Sequence, residues 1–252
     1  MKLVTVGGDP HINESEKIAR IDLAAAHRLA EQFKWTQLIY NHFTLRLPDD
    51  PDSFLIKPHL EMFREVTASS LVKVPLYEQP KNLSAQINPA GYALHTAVLK
   101  ARPDVQAVVH IHTHAGMAIS AHKDGLRFIT QGAMRFYGGL SYHDYLGIAE
   151  VEEAESIAHD IGNAKAMILR NHGLLVVGRT MGEAISRMNY LVSAIESQLL
   201  IEVTGVQNIL TPAPEICAKA AAQWNNMEDS GMLKDWPALL RWMDDLDSGY
   251  RN

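Results

Sequence analysis

The stretch Ala107–His112 reads Ala-Val-Val-His-Ile-His, and the fold is best predicted from it. In an extended strand, residues two apart project from the same face of the sheet, so His110 and His112 would point the same way. Val109 and Ile111 would then cover the opposite face. The pattern predicts a buried strand that ends in two imidazoles on one face.

A third histidine follows a second apolar run. Ala166–Leu169 reads Ala-Met-Ile-Leu and predicts another buried strand, after which His172 stands just before the turn at Gly173. If the two strands end side by side in one sheet, His172 joins His110 and His112. Three neutral imidazoles with an open fourth position are the ligand set of a catalytic metal site. Alternatively, each histidine is satisfied separately by hydrogen bonds at a strand end, but the third histidine on a matching strand and turn favours the metal.

The composition limits the classes of protein to which this chain can belong. The 252 residues are 47% hydrophobic, which is enough for a sizeable core in one large domain or two small ones. A formal net charge of −6 gives no field that would recruit nucleic acid or an anionic membrane. The single cysteine, Cys217, excludes an internal disulfide and fits a reducing compartment. With no signal peptide and no long apolar stretch, we expect a cytoplasmic protein without membrane or nucleic-acid partners.

The rest of the chain alternates helical and strand patterns. Residues 1–13 predict a loose arm, and Trp35–Arg46 predicts a strand interrupted near its middle. The sequence predicts helices in seven segments: from Glu14, Tyr92–Ala101, Ala115–Ala121, Glu150–Ile161, Gly182–Gly205, and two stretches in the tail. We attribute the acidic residues that open Glu150–Ile161 to the helix dipole. Strands that alternate with helices predict a layered α/β/α fold, and the hairpin-like strands argue against a purely parallel sheet.

Several ordered motifs between about Ala19 and Glu202 resemble the class II aldolase/adducin family, and its adducin-like branch in particular. These motifs are Gln37–His42, Val66–Lys73, Asn88–His95, Ala101–Val105, Val108–Thr113, Tyr142–Gly147 and Leu169–Leu174. The resemblance implies one α/β/α domain over residues 1–252 with a mainly antiparallel central sheet, and a C-terminal helical extension at residues 211–252. It also implies a homotetramer with active sites at subunit interfaces. Its divalent metal, usually Zn²⁺ but with Mn²⁺ or Fe²⁺ as alternatives, would be held by His110, His112 and His172.

The chain departs from the aldolases of this family at two places. Their acid/base carboxylate falls on Gly91, and no carboxylate lies between Glu78 and Asp104. Their phosphate-binding serine pair falls near Pro89–Ala90, and their glycine-asparagine phosphate loop falls on Asn41–His42. A glycine allows the backbone to approach an anion closely, and Asn with His fills that space. We therefore expect a substrate without a phosphate group.

Three residues are predicted to bind the substrate. Asn41 and His42 match family positions that line the active site, although His42 could instead satisfy a strand end by hydrogen bonding. Gln131 falls where the aldolases send a residue into the neighbouring subunit's site, and a plain interface role is the alternative. The pair His143–Asp144 could tune a proton carrier. Strand alternation puts these two on opposite faces, however, which favours a structural role.

These features predict a metal-dependent lyase of aldolase or decarboxylase type, which acts on a small non-phosphorylated hydroxy or carbonyl compound. No acid/base residue is identified from the sequence. Two alternatives remain open. One is a non-catalytic assembly domain, because adducins use the same fold without turnover. The other is a non-haem iron oxygenase, because three imidazoles also suit iron.

Overall fold

The computed structural model describes residues 12–78, 86–147 and 151–252, with backbone alone at 151 and 152. Most of the expected N-terminal arm lies outside these ranges. Seven strands in the described ranges form one sheet: β1 (His42–Leu47), β2 (Asp50–Ile56), β3 (Val72–Pro75), β4 (Ala107–Ile111), β5 (Leu140–His143), β6 (Ala166–Leu169) and β7 (Gly173–Gly178). Their order is β3-β2-β1-β4-β7-β6-β5, and each neighbouring pair is antiparallel except β5 and β6.

Helices cover both faces of the sheet. The helices are α1 (Glu14–Gln32), α2 (Pro89–Ala101), α3 (His114–Ser120), α4 (Gln131–Met134), α5 (Val151–Ile161), α6 (Met181–Glu202), α7 (Pro214–Asp229) and α8 (Asp235–Asp247), with single 3-10 turns at Phe63–Glu65, Val206–Asn208 and Ser248–Arg251. One apolar core joins α1, α3 and α6 to the first face, and a second core joins α2 and α5 to the other. The predicted α/β/α layering around a mainly antiparallel sheet is confirmed.

The central strands β1 and β4 divide their side chains between the two cores. In β4, Val109 and Ile111 pack into the core on the α1 side, while Val108 packs into the core on the α2 side. The pairing register between β1 and β4 places His42 of β1 opposite His110 of β4. Both histidines follow the alternation of their strands and lie on the α2 side, which is the face that carries the site.

The expectation that the two histidine-bearing strands end side by side is wrong. A further strand, β7, begins directly after the turn, and the sequence pattern does not distinguish it from that turn. Strand β7 lies between β4 and β6 and pairs antiparallel with both. The hairpin between β6 and β7 is tight. His172 lies in the turn of this hairpin and directly precedes the first residue of β7. Because Ile111 pairs with Leu174, the end of β4 still meets this turn.

The strand predicted from Trp35 begins later than expected, at His42. Leu38 and Asn41 both have left-handed backbone conformations, with φ of 53° and 73°, and Gln37 makes an isolated bridge to Tyr40. A residue in this conformation cannot continue an extended strand, so the chain turns here before it enters the sheet. Within the described ranges, no helix is long and apolar enough to cross a membrane.

A buried histidine of α1 supports β1 from the opposite face. The His27 ring packs against Phe43 of β1 and against Phe63, with ring centroids 5.0 and 4.9 Å away. Its Nδ1 donates to the carbonyl oxygen of Leu23 at 2.7 Å, and its Nε2 is buried without a hydrogen-bond partner in the described part of the chain. Burial lowers the pKa of His27 from 6.5 to about 3.

This pKa predicts a loss of stability in mild acid. The unfolded chain binds a proton at His27 near pH 6.5, but the folded chain does so only near pH 3, so the free energy of unfolding falls as the pH drops through this window. Between pH 6.5 and pH 4.5, His27 should account for a loss of about 2 kcal/mol. His27→Leu should remove this part of the slope in urea titrations, and His114→Leu, at an exposed position, should not. Equal slopes for wild type and His27→Leu would contradict the prediction.

Candidate metal centre

The three predicted histidines come together at the end of β4. One ring nitrogen from each of His110, His112 and His172 can be chosen so that all three atoms lie within 4.8 Å of one another. The ring centroids are 4.6 to 4.8 Å apart. His110 is buried, and the other two rings are half-buried at the edge of a cavity. The structure therefore brings together the cluster that the two sequence motifs predicted.

Hydrogen bonds orient two of these rings for ligation. Nδ1 of His110 donates to the carbonyl oxygen of Leu174 at 2.9 Å, and Nδ1 of His112 lies 2.8 Å from Oε1 of Gln37. With both Nδ1 atoms protonated, each Nε2 carries a lone pair, yet the two Nε2 atoms are only 2.8 Å apart. Two facing lone pairs repel each other unless a positive charge lies between them. The donor set thus fits a bound cation, and the outer oxygens fix the ring tautomers.

The electrostatic setting keeps these imidazoles neutral. Burial, reinforced by repulsion from His112 and His143, lowers the pKa of His172 to about 4. Burial also lowers the pKa of His112, and it holds the pKa of His110 well below its ordinary value. Near neutral pH all three rings therefore have a free nitrogen lone pair, as metal ligation requires.

The turn between β6 and β7 can place His172 here because of two special residues. Asn171 has φ of 55°, a left-handed conformation that asparagine adopts more readily than most residues. At Gly173, an added Cβ would lie 2.6 Å from the carbonyl oxygen of Ile111 and 2.7 Å from the His112 ring. Only glycine lets the turn approach the end of β4 this closely.

A cavity of about 760 Å³ opens beside the histidines. Its walls come from the turn before β1, from the start of α2, from α5 and from the turn before β7. Most of the lining is apolar, including Leu38, Leu94 and Ile157. In the described part of the chain, no lysine or arginine lines it, and Glu153 is its one carboxylate. Its size suits a small-molecule ligand.

Asn41 and His42, which the sequence predicts to bind the substrate, both line this cavity, and that role stays a prediction. Nδ2 of Asn41 donates to the carbonyl oxygen of Trp35 at 2.8 Å. Oδ1 of Asn41 and Nε2 of His42 are both buried. Within the described ranges, neither atom has a hydrogen-bond partner. Both atoms therefore retain an unused hydrogen-bonding capacity beside the cavity.

The His42 ring lies against Gly91, the position on which the resemblance places the acid/base carboxylate of the aldolases. A Cβ added at Gly91 would lie 2.5 to 2.8 Å from three atoms of that ring. The ring therefore occupies the volume that a side chain at position 91 would need. Nearby His95 is fully buried, and its Nδ1 lies 2.8 Å from the Thr44 hydroxyl, so it joins α2 to β1 rather than facing the cavity.

Gln131 does not reach the cavity within one chain. It is exposed at the start of α4, and its carbonyl oxygen accepts a hydrogen bond from Nε1 of Trp224 at 3.2 Å. Its predicted role concerned a neighbouring subunit's site, and that role stays a prediction.

Glu153 is a site residue that the sequence analysis missed. It lies in the first turns of α5, is 7% exposed and lines the cavity. From the sequence alone, the helix dipole is sufficient to account for acidic residues at the start of this helix. A signal was nevertheless present, because Glu153 is at helical spacing from the buried Ile157 and Ile161 and therefore belongs to the buried face.

The partner of His143 also differs from the one that the sequence suggested. Asp144 is exposed and pairs with Arg170 at 3.2 Å. His143 is buried, and its Nδ1 donates to Oδ2 of Asp160 at 2.8 Å, while its Nε2 lies 3.9 Å from Oε1 of Glu153. The histidine thus links a carboxylate of the cavity to one on the outer side of α5.

Comparisons with known proteins agree with this geometry. Residues 21–199 match the family model described as the Class II Aldolase and Adducin N-terminal domain. The chain is 42% identical over 255 residues to alpha-adducin of Mus musculus, a match that covers 95% of this chain but 34% of that protein. The chain therefore spans about a third of that relative's length.

Two solved structures share the fold over nearly the whole chain. One is an aldolase II superfamily protein from Pseudomonas syringae, with 38% identity and a TM-score of 0.89 over 96% of this chain and 98% of that one. The other is L-fuculose 1-phosphate aldolase from Glaciozyma antarctica PI12, with 27% identity and a TM-score of 0.77 over 100% of this chain and 96% of that one. Since the family model also matches most of its length, this chain belongs to the class II aldolase/adducin family.

Proposed function

We propose that this protein is a metal-dependent lyase that breaks a carbon–carbon bond in a small, non-phosphorylated hydroxy or carbonyl compound. The observation that carries the proposal is the pair of Nε2 atoms of His110 and His112. They face each other at 2.8 Å beside His172, at the wall of a ligand-sized cavity. This arrangement fits a bound cation, and the cluster lies at the wall of the cavity.

The three histidines would hold the cation, and Zn²⁺ suits three neutral imidazoles with an open position best. Mn²⁺ and Fe²⁺ remain alternatives. When bound, such a cation supplies Lewis-acid stabilisation of the negative charge that develops on a substrate oxygen. The protein's own contribution is to fix the rings through Gln37 and Leu174, and to offer Asn41 and His42 as substrate contacts from the turn before β1.

The start of α2 supports a substrate without phosphate. A helix N-terminus often binds anions through its free N–H groups. Here Pro89 has no N–H, and the N–H of Ala90 is bonded to the side chain of Asn88 at 3.0 Å. Along the described lining there is also no cationic side chain to pair with a phosphate. A neutral or singly charged compound with an apolar part fits this cavity better.

The family resemblance leads us to propose a cytoplasmic homotetramer, in which Gln131 of one subunit would face the cavity of the next. Similarity to alpha-adducin favours a second candidate, a non-catalytic assembly domain. Both candidates predict an oligomer, but only the lyase predicts a metal and chemistry in the cavity.

The first experiment is elemental analysis of protein purified without added metal, combined with its mass in solution. The lyase proposal expects about one zinc per chain in a tetramer. It also expects zinc-dependent exchange of the carbon-bound protons of dihydroxyacetone with D₂O, measured by NMR. Iron with oxygen consumption would favour the oxygenase, and a protein that refuses added zinc would favour the assembly domain.

His112→Ala should remove stoichiometric zinc with little loss of folded protein, because it deletes one of three ligands at a half-buried position. Loss of a ligand should weaken zinc binding by more than the roughly 100-fold seen for outer partners of ligands. His114→Ala, two residues away and exposed, is the matched control and should keep wild-type zinc content. Unchanged metal content in His112→Ala would contradict the three-histidine site.

Gly91→Ala should destabilise the protein although alanine favours helices, because the new Cβ would overlap the His42 ring. Overpacking of this kind costs about 1–3 kcal/mol. In a double-mutant cycle followed by urea unfolding, the same change in a His42→Ala background should be neutral or stabilising. Equal destabilisation in both backgrounds would show that the His42 ring does not limit position 91.

A further inference from the structure

Two buried polar atoms, one from α5 and one from β5, lie close together without hydrogen-bond partners in the described part of the chain. Oε1 of Glu153 and Nε2 of His143 are 3.9 Å apart, and within the described ranges neither has another partner. The Glu153 side chain is 9% exposed and that of His143 is 2% exposed. A buried carboxylate oxygen and a buried ring nitrogen without partners are costly, unless a proton can be shared between them.

The other side of His143 leads to solvent. Nδ1 of His143 donates to Oδ2 of Asp160 at 2.8 Å, so Nε2 carries the lone pair that faces Glu153. The other carboxylate oxygen of Asp160 accepts from Nδ1 of His159 at 3.0 Å. Hydrogen bonds from His159 and His143 lower the pKa of Asp160, which keeps it ionised as an acceptor. The side chain of His159 is 88% exposed, so the chain of contacts runs from the cavity to the surface.

We propose that Glu153 is the acid/base group of the site, and that His143 and Asp160 connect it to solvent. This inference rests on the proposed lyase function. It assigns to α5 the role that position 91 cannot serve, since the His42 ring occupies the space for a side chain there. Glu153 is the one carboxylate among the described residues that line the cavity.

Retro-aldol cleavage at this site would need no reactant besides the substrate. In retro-aldol cleavage, the ionised Glu153 takes the proton of the substrate hydroxyl, whose O–H electrons become the second bond of a new carbonyl. The C–C bond breaks, and its electron pair passes to the carbon next to the other carbonyl group. That carbon then takes the proton back from Glu153. A decarboxylation would use only this last step, starting from a Glu153 that has already taken up a proton from solvent.

The inference can be tested without a known substrate. Acetohydroxamic acid is a suitable probe, because it must lose a proton to bind zinc as a two-oxygen chelator. Calorimetric titrations of zinc-loaded protein, in two buffers of different ionisation enthalpy, count the protons that reach the buffer. In the wild type Glu153 should keep the lost proton. Glu153→Gln should therefore release about one more proton per bound hydroxamate than the wild type.

Glu155→Gln is the matched control, because it makes the same change of charge at an exposed position of the same helix. It should keep the wild-type proton count, and Glu153→Asp should restore most of it. Zinc content is measured for every variant. A zinc-loaded Glu153→Gln that has the wild-type proton count would overturn this inference alone. A wild type that binds no zinc would contradict the proposed function, and this inference with it.

The role of His143 has a separate signature that needs no variant. With ¹⁵N-labelled histidine, the Nε2 signal of His143 should shift when acetohydroxamate binds to the wild type, because Glu153 then donates to it. Its Nδ1 should stay protonated against Asp160. An Nε2 signal that does not respond to the ligand would show that the proton is not shared with His143, and would overturn the proposed connection.

Discussion

The register of β1, β4 and β7 is the constraint on which the candidate centre depends. It sets His42 opposite His110 and Ile111 opposite Leu174, so that the ends of three strands present their side chains to one cavity. A slip of one residue in β4 would turn His110 to the other face of the sheet. The apolar cores on both faces oppose such a slip, because each buries alternate residues of the same strand.

Much of this arrangement could be predicted from the sequence. Alternation in β4 placed His110 on the opposite face from Val109, and the apolar run before His172 predicted a second strand. Strand β7 was missed for a physical reason. Both of its faces are buried, so its run of leucine and valine shows no alternation that would separate it from the turn before it. The three histidines therefore lie together as predicted. The hairpin between β6 and β7 brings His172 to the end of β4, although β4 and β6 are not neighbours.

The remaining parts of the site depend on contacts between residues distant in the chain. Nothing near Gly91 in the sequence indicates that the ring of His42 fills the space beside it. The place of Glu153 at a helix start is a local property, and it indicates only a favourable interaction with the helix dipole. The position of Glu153 in the cavity depends on how α5 packs against the sheet. His143 pairs with Asp160 rather than with its neighbour Asp144, because strand alternation points adjacent side chains apart.

The close fit between Gly91 and His42 also bears on how sites in this family can change over evolution. A chain that keeps His42 cannot gain a carboxylate at position 91 by one substitution without overlapping side chains. The resemblance to the aldolases pairs their acidic residue with the smaller asparagine at the position of His42. The two positions should therefore vary together among relatives. A search by random mutagenesis for a carboxylate at position 91 would meet a barrier that only paired substitutions can cross.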